Sequence, residues 1–322
     1  MLSNMVVFNK YVMPVVYETL AQEYAKFNAA SGGTIRLSAE GFTGDYDQES
    51  FYSSLAAAQR RVDRNAANAS QAATSLAQLQ KNGVKVAGGI GPVLYEPSQM
   101  SWLEKPTTEG IEVASSAFAE IIMQDQLNTA IAAALAAISG DANRVNDVSA
   151  TANVSYAAIN DAHALFGDRS SALKAQIMNG ATFHALIGNN LGNAETLFKA
   201  ENVRVVDILG TLVVVTDAPA LSIGANDTAI LSLVPGAVDV TGASDVITNI
   251  ETTNGNLRIE TTLQADYSFG LHVKGFSWDI ANGGASPTDA ELTTSSNWDA
   301  VGSAANLIKD GAGVVTQFDP AA

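Results

Sequence analysis

The chain has 322 residues, of which 47% are hydrophobic, which is enough for two or three lobes and excludes a wholly disordered protein. It contains no cysteine, so disulfides, thiol catalysis and zinc-thiolate sites are excluded. The net charge is −16. Residues 1–105 are neutral overall, so the whole negative excess lies on residues 106–322, and a body this acidic repels nucleic acid. Solubility alone explains the acidity equally well.

The sequence predicts no contact with a membrane. None of its apolar runs approaches the roughly 20 residues that a membrane span needs. The first residues lack the basic flank and long apolar stretch of a secretory signal, so we expect a cytosolic origin.

The first 105 residues predict an arm and a long loop. Residues 1–33 contain a short amphipathic helix that ends at Ser31-Gly32-Gly33, and its apolar face needs a cover. Thr34 to Phe42 alternates as a strand does, and Tyr46 to Arg64 has a helical pattern. Asn82-Gly83 indicates a turn before a returning strand, and residues 88–105 indicate a connector rich in Gly and Pro. This excursion has no core of its own, which favours an extended hairpin buried on a neighbour.

Thr107 to Ser139 is predicted to be one long helix. Apolar residues recur at helical spacing, Pro106 and Gly140 suit its start and end, and Thr107 or Thr108 is a candidate cap. We expect one packed face and one acidic, solvated face. The helix reads as a support on which other segments pack.

The last 180 residues predict a mixed α/β body. Residues 155–193 indicate two helices broken at Phe166-Gly167-Asp168, and Asn202 to Thr216 indicates two strands around a tight turn at Leu209-Gly210. Further predicted strands cover residues 228–234, 237–241, 246–252, 257–263 and 267–278. We expect the tail from Ile280 onward to be loop-like.

No catalytic, cofactor or metal site is predicted. The glycine run at residues 88–91 lacks the residues of a Walker loop or dinucleotide fingerprint, and the only serine motif, at residues 171–174, is loose. Aspartates that follow strands are better explained as turn residues, and the histidines show no ligand spacing. These candidates are Asp207, Asp217, Asp239, His163, His184 and His272.

The one cluster that favours a contact is Arg60, Arg61 and Arg64. On the predicted helix they share a face, and guanidinium groups pair well with carboxylates or phosphates. A solvated run of charge is the equal alternative. Arg36 and Phe42, in the first predicted strand, complete the candidate contacts.

The order of these segments resembles the major capsid proteins of tailed bacteriophages, which share the α+β Hong Kong 97 fold. The resemblance rests on residues 163–186, 209–221 and 275–298, and on the element order over nearly the whole chain. It implies an N-terminal arm (1–33), an extended E-loop (34–87), a peripheral domain (88–149, with the spine helix 107–139), an axial domain (150–250), and peripheral strands with the tail (251–322).

The resemblance also implies a function and partners. The chain would be a structural protein, not an enzyme and without cofactors, that self-assembles through hexamers and pentamers into the icosahedral head around double-stranded DNA. Its arginines and its E-loop would contact the neighbouring subunit. The DNA would be enclosed without sequence-specific binding, and portal, scaffold and decoration proteins would be further partners. Assembly would take place in the host cytoplasm, and the mature protein would lie in the virion.

Two alternatives stay open at this point. An encapsulin-like compartment shell has the same fold but encloses an enzyme cargo. An α/β hydrolase or binding protein is more distant, because no catalytic constellation is present in the sequence.

Overall fold

A computed structural model gives the fold. It describes residues 13–38, 44–52, 60–67, 70, 73, 78–95, 108–150, 153–190, 207–208, 210–224, 227–242, 246–254, 257, 259–301 and 308–319. The helices are α1 (Met13–Ala30), α2 (Thr108–Ser139), α3 (Tyr156–Ala164), α4 (Gly180–Asn190), α5 (Ile280–Gly283) and α6 (Asp289–Leu292). Short 3₁₀ turns cover Ala142–Arg144, Gly167–Ala172, Pro219–Leu221 and Ser295–Asn297.

The strands form two large sheets and one small one. They are β1 (Ile35–Ser38), β2 (Tyr46–Tyr52), β3 (Gln78–Tyr95), β4 (Val145–Asp147), β5 (Ala175–Met178), β6 (Asp207–Ile208), β7 (Thr211–Val215), β8 (Ser222–Ile223), β9 (Asp227–Leu233), β10 (Val238–Thr241), β11 (Ile247–Thr253), β12 (Glu260–Val273), β13 (Phe276–Trp278), β14 (Trp298–Ala300) and β15 (Gly313–Phe318).

The body sheet has the order β4-β15-β9-β5-β7-β6, with β8 also paired to β9. Its central strands are covered on both faces: β5 is buried at all four positions, and β9 is buried after its first residue. One face belongs to the main core, and the other packs with Ile159 of α3 and Leu186 of α4. Apolar side chains on both faces are what a strand inside a closed core requires.

The second large sheet, which we call the arm sheet, has the order β1-β10-β12-β3-β2, with β11 paired to the outer part of β12. Alternate residues of β12 face α2 and are buried, namely Ala265, Tyr267, Phe269, Leu271 and Val273. The Tyr267 hydroxyl donates to the Asp125 carboxylate of α2 at 2.6 Å. Gln126, the next residue of α2, accepts a hydrogen bond through its side-chain oxygen from the Tyr24 hydroxyl in α1. The middle of α2 therefore ties α1 to the arm sheet.

The long helix α2 confirms the predicted helix to within one residue, and Thr107 lies outside the described residues. Its two halves differ, which corrects the expectation of one wet face along its whole length. Glu120 and Ile121 are exposed, whereas Ala133 to Ile138 are buried on every side. The last part of the helix can be buried because residues 130–138 are all alanine, isoleucine or leucine and carry no charge. Residues 116–139 are long and apolar enough to cross a membrane, but 61% of that stretch is buried inside the protein, as in a core helix.

Three sequence predictions for residues 46–95 were wrong. Tyr46 begins a strand rather than a helix, and β2 pairs antiparallel with β3 from Tyr46↔Val84 to Tyr52↔Gln78. Cross-strand pairing therefore overrides the local helical pattern. Asn82-Gly83 lies inside β3 rather than in a turn, and residues 88–95 continue β3 instead of forming a connector.

The structure confirms the predicted strands at residues 228–234, 237–241 and 246–252 within one residue, as β9 of the body sheet and as β10 and β11 of the arm sheet. The two predicted strands 257–263 and 267–278 are instead β12, which is continuous, and the short β13. The pair of helices predicted for residues 155–193 is α3 and α4, but β5 lies between them. The tail is not loop-like, because β15 pairs with β9 along six residues in the middle of the body sheet.

Candidate assembly surface

The feature that stands out is a hairpin, which we call the arm, built from β2 and the first half of β3. From Asp47 to Ser50 the residues of β2 are exposed, and Lys81 of β3 pairs with Glu49 across the strands at 3.3 Å. Toward the root of the arm, Tyr46 packs against the main core and Val84 is fully buried. The arm thus begins in the core and leaves it, and its exposed part contributes nothing to that core.

A row of residues crosses the arm sheet at the root of the arm. Arg36, Asp239 and His272 are register partners on β1, β10 and β12, and Asp47 is the partner of Gly83 on β2 and β3. The His272 ring lies where a side chain at position 83 would be, and its Nε2 is 3.1 Å from the Asp47 carboxylate. Glycine at position 83 is therefore required to let the histidine reach the arm.

Burial sets the charge state of this row. The pKa of His272 lies below its ordinary value, chiefly because burial disfavours the imidazolium, with Lys81 acting in the same direction. The carboxylates of Asp47, Glu49 and Asp239 oppose that shift. His272 is consequently neutral at pH 7, and it joins the arm to the sheet through the 3.1 Å contact of its Nε2 with the Asp47 carboxylate and through its packing on Gly83.

The arginine cluster lies on an irregular stretch, residues 60–67, which we call the arginine segment. Its described residues are all exposed, and Val62 between the arginines is 66% exposed. Because no helix forms there, the expected common helical face of Arg60, Arg61 and Arg64 is wrong. Closeness in sequence still keeps the three guanidinium groups on one short segment.

The other two candidate contacts have different outcomes. Arg36 is exposed on β1, and its Nε lies 4.0 Å from the Asp239 carboxylate of the same chain. Phe42 lies outside the described residues. The sequence considered alone suggested His272 only as a candidate metal ligand and gave no role to Asp47, although the alternation of β12 and β2 places both side chains on one face.

The arginine segment differs from most other basic residues in its ion pairing. Several cations pair with a carboxylate of this chain, namely Lys26 with Glu23, Lys81 with Glu49, Arg144 with Asp141, Arg169 with Asp310 and Lys309 with Asp168. Arg60, Arg61 and Arg64 make no ion pair with the part of the chain that the structure describes. No described carboxylate of this chain neutralises their charges.

The candidate catalytic residues have structural surroundings. Burial lowers the pKa of His163, whose Nε2 lies 3.1 Å from the Ser232 hydroxyl, and His184 is exposed beside Phe183. Asp217 accepts the backbone N–H of Gly180 at 2.9 Å at the start of α4. Among the described residues, no group of three or more His, Cys, Asp or Glu side chains could hold a metal ion.

An open cleft of about 590 Å³ lies between α1 and α2 near the end of β7. Its floor is apolar, with Ala119, Met123 and Leu127, and its rim carries the carboxylates of Glu23, Glu120 and Asp217. Two of these carboxylates already have partners, since Glu23 binds Lys26 at 2.6 Å and Asp217 holds the start of α4.

The structure is similar to the "Cyanophage Pam1 capsid asymmetric unit", with 15% sequence identity, a TM-score of 0.54, and coverage of 89% of this chain and 88% of that one. It is also similar to a structure from "Microbacterium phage Oxtober96", with 13% identity, a TM-score of 0.50 and coverage of 85% and 90%. No curated protein matches the chain.

The chain therefore has the α+β fold of phage capsid structures. A family model described as "Gp13-like: Major capsid protein 13-like" matches residues 4–315, and the chain belongs to this family of major capsid proteins. It is accordingly a component of the virion, assembled from many copies into the icosahedral head.

Proposed function

We propose that each copy of this chain binds a neighbouring copy through its arm, and that these contacts close the head around the phage genome. The observation that carries the proposal is the arginine segment, with three exposed guanidinium groups and no ion pair among the described residues. A hairpin whose outer part has no core of its own gains burial by contacting another molecule, and many copies supply that burial.

The finer features of assembly belong to the same proposal. Hexamers and pentamers of the chain form the shell, with portal, scaffold and decoration proteins as further partners. The net charge of −16 favours enclosure of DNA without sequence-specific binding, because an acidic wall repels phosphate. The structural role uses no catalytic chemistry.

The domain division also remains a proposal, and two strands bear on its limits. β3 crosses the boundary at residue 87, so the arm and the sheet behind it share one strand. β15, in the segment 251–322, pairs with β9 and β4 in the body sheet. Any axial domain would therefore include the C-terminal strand.

The test replaces Arg60, Arg61 and Arg64 by Glu in the full chain, under conditions in which the unchanged chain forms shells, with its scaffold co-expressed if it needs one. We expect shells to be lost on electron microscopy and sedimentation. The dissociated variant should keep its circular dichroism and unfold within about 0.5 kcal/mol of the unchanged chain, since exposed substitutions rarely cost more.

The matched control makes the same charge change on the body, with Lys26, Lys174 and Lys274 replaced by Glu. All three lysines are exposed and lie outside the arm. The control should still assemble. Normal shell yield from the arginine variant would refute the proposed arm contact.

A further inference from the structure

The outer half of the arm sheet has a face that nothing in the described chain covers, whereas nearer the root Gly270 and His272 on the same side of β12 are buried. Successive residues of a strand point to opposite faces, so the residues of β12 that alternate with the buried ones point away from α2. Gln264 and Asp266 are exposed there, beside Ala87 and Gly89 of β3 and Asn249 of β11. We call this surface, formed by β11, the outer half of β12 and residues 86–95 of β3, the open face.

Two glycines of β3 confirm the assignment of the faces. A side chain at Gly88 would meet the Tyr267 ring at 2.6 Å, on the buried side toward α2. A side chain at Gly89 would meet the Asp266 carboxylate at 3.1 Å, on the opposite side. Small residues on β3 therefore keep the middle of the open face low and flat, which lets another backbone approach.

The open face is negatively charged. Glu251 on β11, together with Glu260 and Asp266 on β12, points to this side by register. None of them forms an ion pair with a described residue, although Asp266 accepts a hydrogen bond from the Gln264 side chain at 3.1 Å. Arg258, which lies between β11 and β12 in the sequence, is outside the described residues. Exposed apolar side chains border the carboxylates, with Ile247 at 69% and Leu94 at 56% exposure.

We infer that the open face of one copy receives the arginine segment of a neighbouring copy. The segment presents Arg60, Arg61 and Arg64 around the exposed Val62. The open face presents three carboxylates beside two exposed apolar side chains. Guanidinium groups bind carboxylates with defined geometry, and charge complementarity of this kind sets the register and suppresses wrong partners. This inference rests on the proposed function, because it names the surface that the arm binds.

The cleft between α1 and α2 is the competing acidic surface, and it fits less well. Glu23 and Asp217 on its rim are already bound within the chain, at 2.6 Å and 2.9 Å. An arginine that entered the cleft would have to displace Lys26 or the start of α4. The open face requires no such exchange among the described residues.

The test is an exchange of charge between the two surfaces in the full chain. In one variant, Glu251, Glu260 and Asp266 are all replaced by Arg. In a second variant, these three changes are combined with Arg60→Glu, Arg61→Glu and Arg64→Glu. We expect the shell yield to fall about tenfold or more in each single set, because like charges then face each other. The combined variant should recover to within about twofold of the unchanged chain, since the opposite charges meet again.

Further variants keep the result interpretable. The neutral set Glu251→Gln, Glu260→Gln and Asp266→Asn should weaken assembly and reduce its sensitivity to salt, because fewer charges are left to screen. Circular dichroism of each dissociated variant shows whether it has folded. If the Arg set on the open face fails to fold, assembly of the neutral set tests the inference instead. As a matched control, Glu23, Glu120 and Asp217 replaced by Arg should not rescue the arginine variant.

The outcomes separate the two claims. Normal assembly of the arginine variant would refute the proposed function. Loss of shells with the arginine variant, but normal shells with both open-face sets, would refute only the open face as its receptor. Failure of the combined variant to recover, or rescue by the cleft variant, would also overturn the inference.

Discussion

The body sheet and the arm sheet use similar strands in opposite ways. In the body sheet, β5 and β9 have apolar side chains on both faces, and the chain itself covers both. In the arm sheet, β12 buries Phe269 and Leu271 toward α2 but exposes Gln264 and Asp266 on the other side. The difference shows that one sheet satisfies its burial alone, whereas the other leaves a face and a hairpin for other copies.

The largest effect should come from removing a side chain of the body sheet. Leu231 on β9 is fully buried, so Leu231→Ala should lower the free energy of unfolding by about 2–5 kcal/mol, through lost burial and the cavity left behind. Ile247→Ala, on the exposed β11, should cost less than about 1 kcal/mol. Urea denaturation of the dissociated protein measures both, and equal costs would contradict the division between the sheets.

A smaller effect should follow from adding a side chain at Gly83, in the space that the His272 ring occupies at the root of the arm. A side chain at Gly83 would lie 2.1 Å from that ring, so Gly83→Ala should cost about 1–3 kcal/mol by overpacking. Hydrogen exchange should show the loss as faster opening of β2 and β3. Gly188→Ala in α4 is the matched control, because nothing lies within 4 Å of the added atom and the change should stabilise the helix by about 0.5–1 kcal/mol. If the hydrogen exchange of β2 stays unchanged, the claim that His272 packing on Gly83 holds the arm is contradicted.

The smallest effect concerns pH and buried His163. Burial lowers its pKa below the ordinary value of 6.5, so the unfolded chain takes up a proton before the folded chain does. Its stabilising contribution is complete above pH about 6.5 and declines as the pH falls below that value. His163→Gln should flatten the fall in stability between pH about 6.5 and 5. Parallel pH profiles for the unchanged chain and His163→Gln would contradict this assignment.

The sequence predicted the parts of the fold whose pattern is local. The long helix α2 could be placed because its apolar residues recur at helical spacing between Pro106 and Gly140. The capsid fold followed from the order of the segments, and the family match over residues 4–315 confirms it. The arm was recognised as an excursion that has no core of its own.

The parts that failed depend on residues distant in sequence. The pattern of residues 46–64 favours a helix, and only pairing with β3 makes residues 46–52 a strand. β15 looked like part of a loop because its place is set by β9, about 85 residues earlier in the chain. The arginines were found as a cluster of charge, but the surface that could receive them depends on the register of three strands that no single stretch reveals.

The length of β3 has a mechanical consequence. One strand runs from the arm, through the root, to the far end of the sheet, and ten registered residue pairs join it antiparallel to β12. A pull on the arm along its axis is directed along β3, so it strains these rungs in parallel instead of peeling them apart one at a time. If the arm binds a neighbouring copy as proposed, tension between the two copies along the arm axis would load it in this direction. Single-molecule pulling on the arm should then show rupture in one high-force step. Hydrogen bonds loaded in shear share the force and break together, whereas hydrogen bonds pulled apart from one end break one after another.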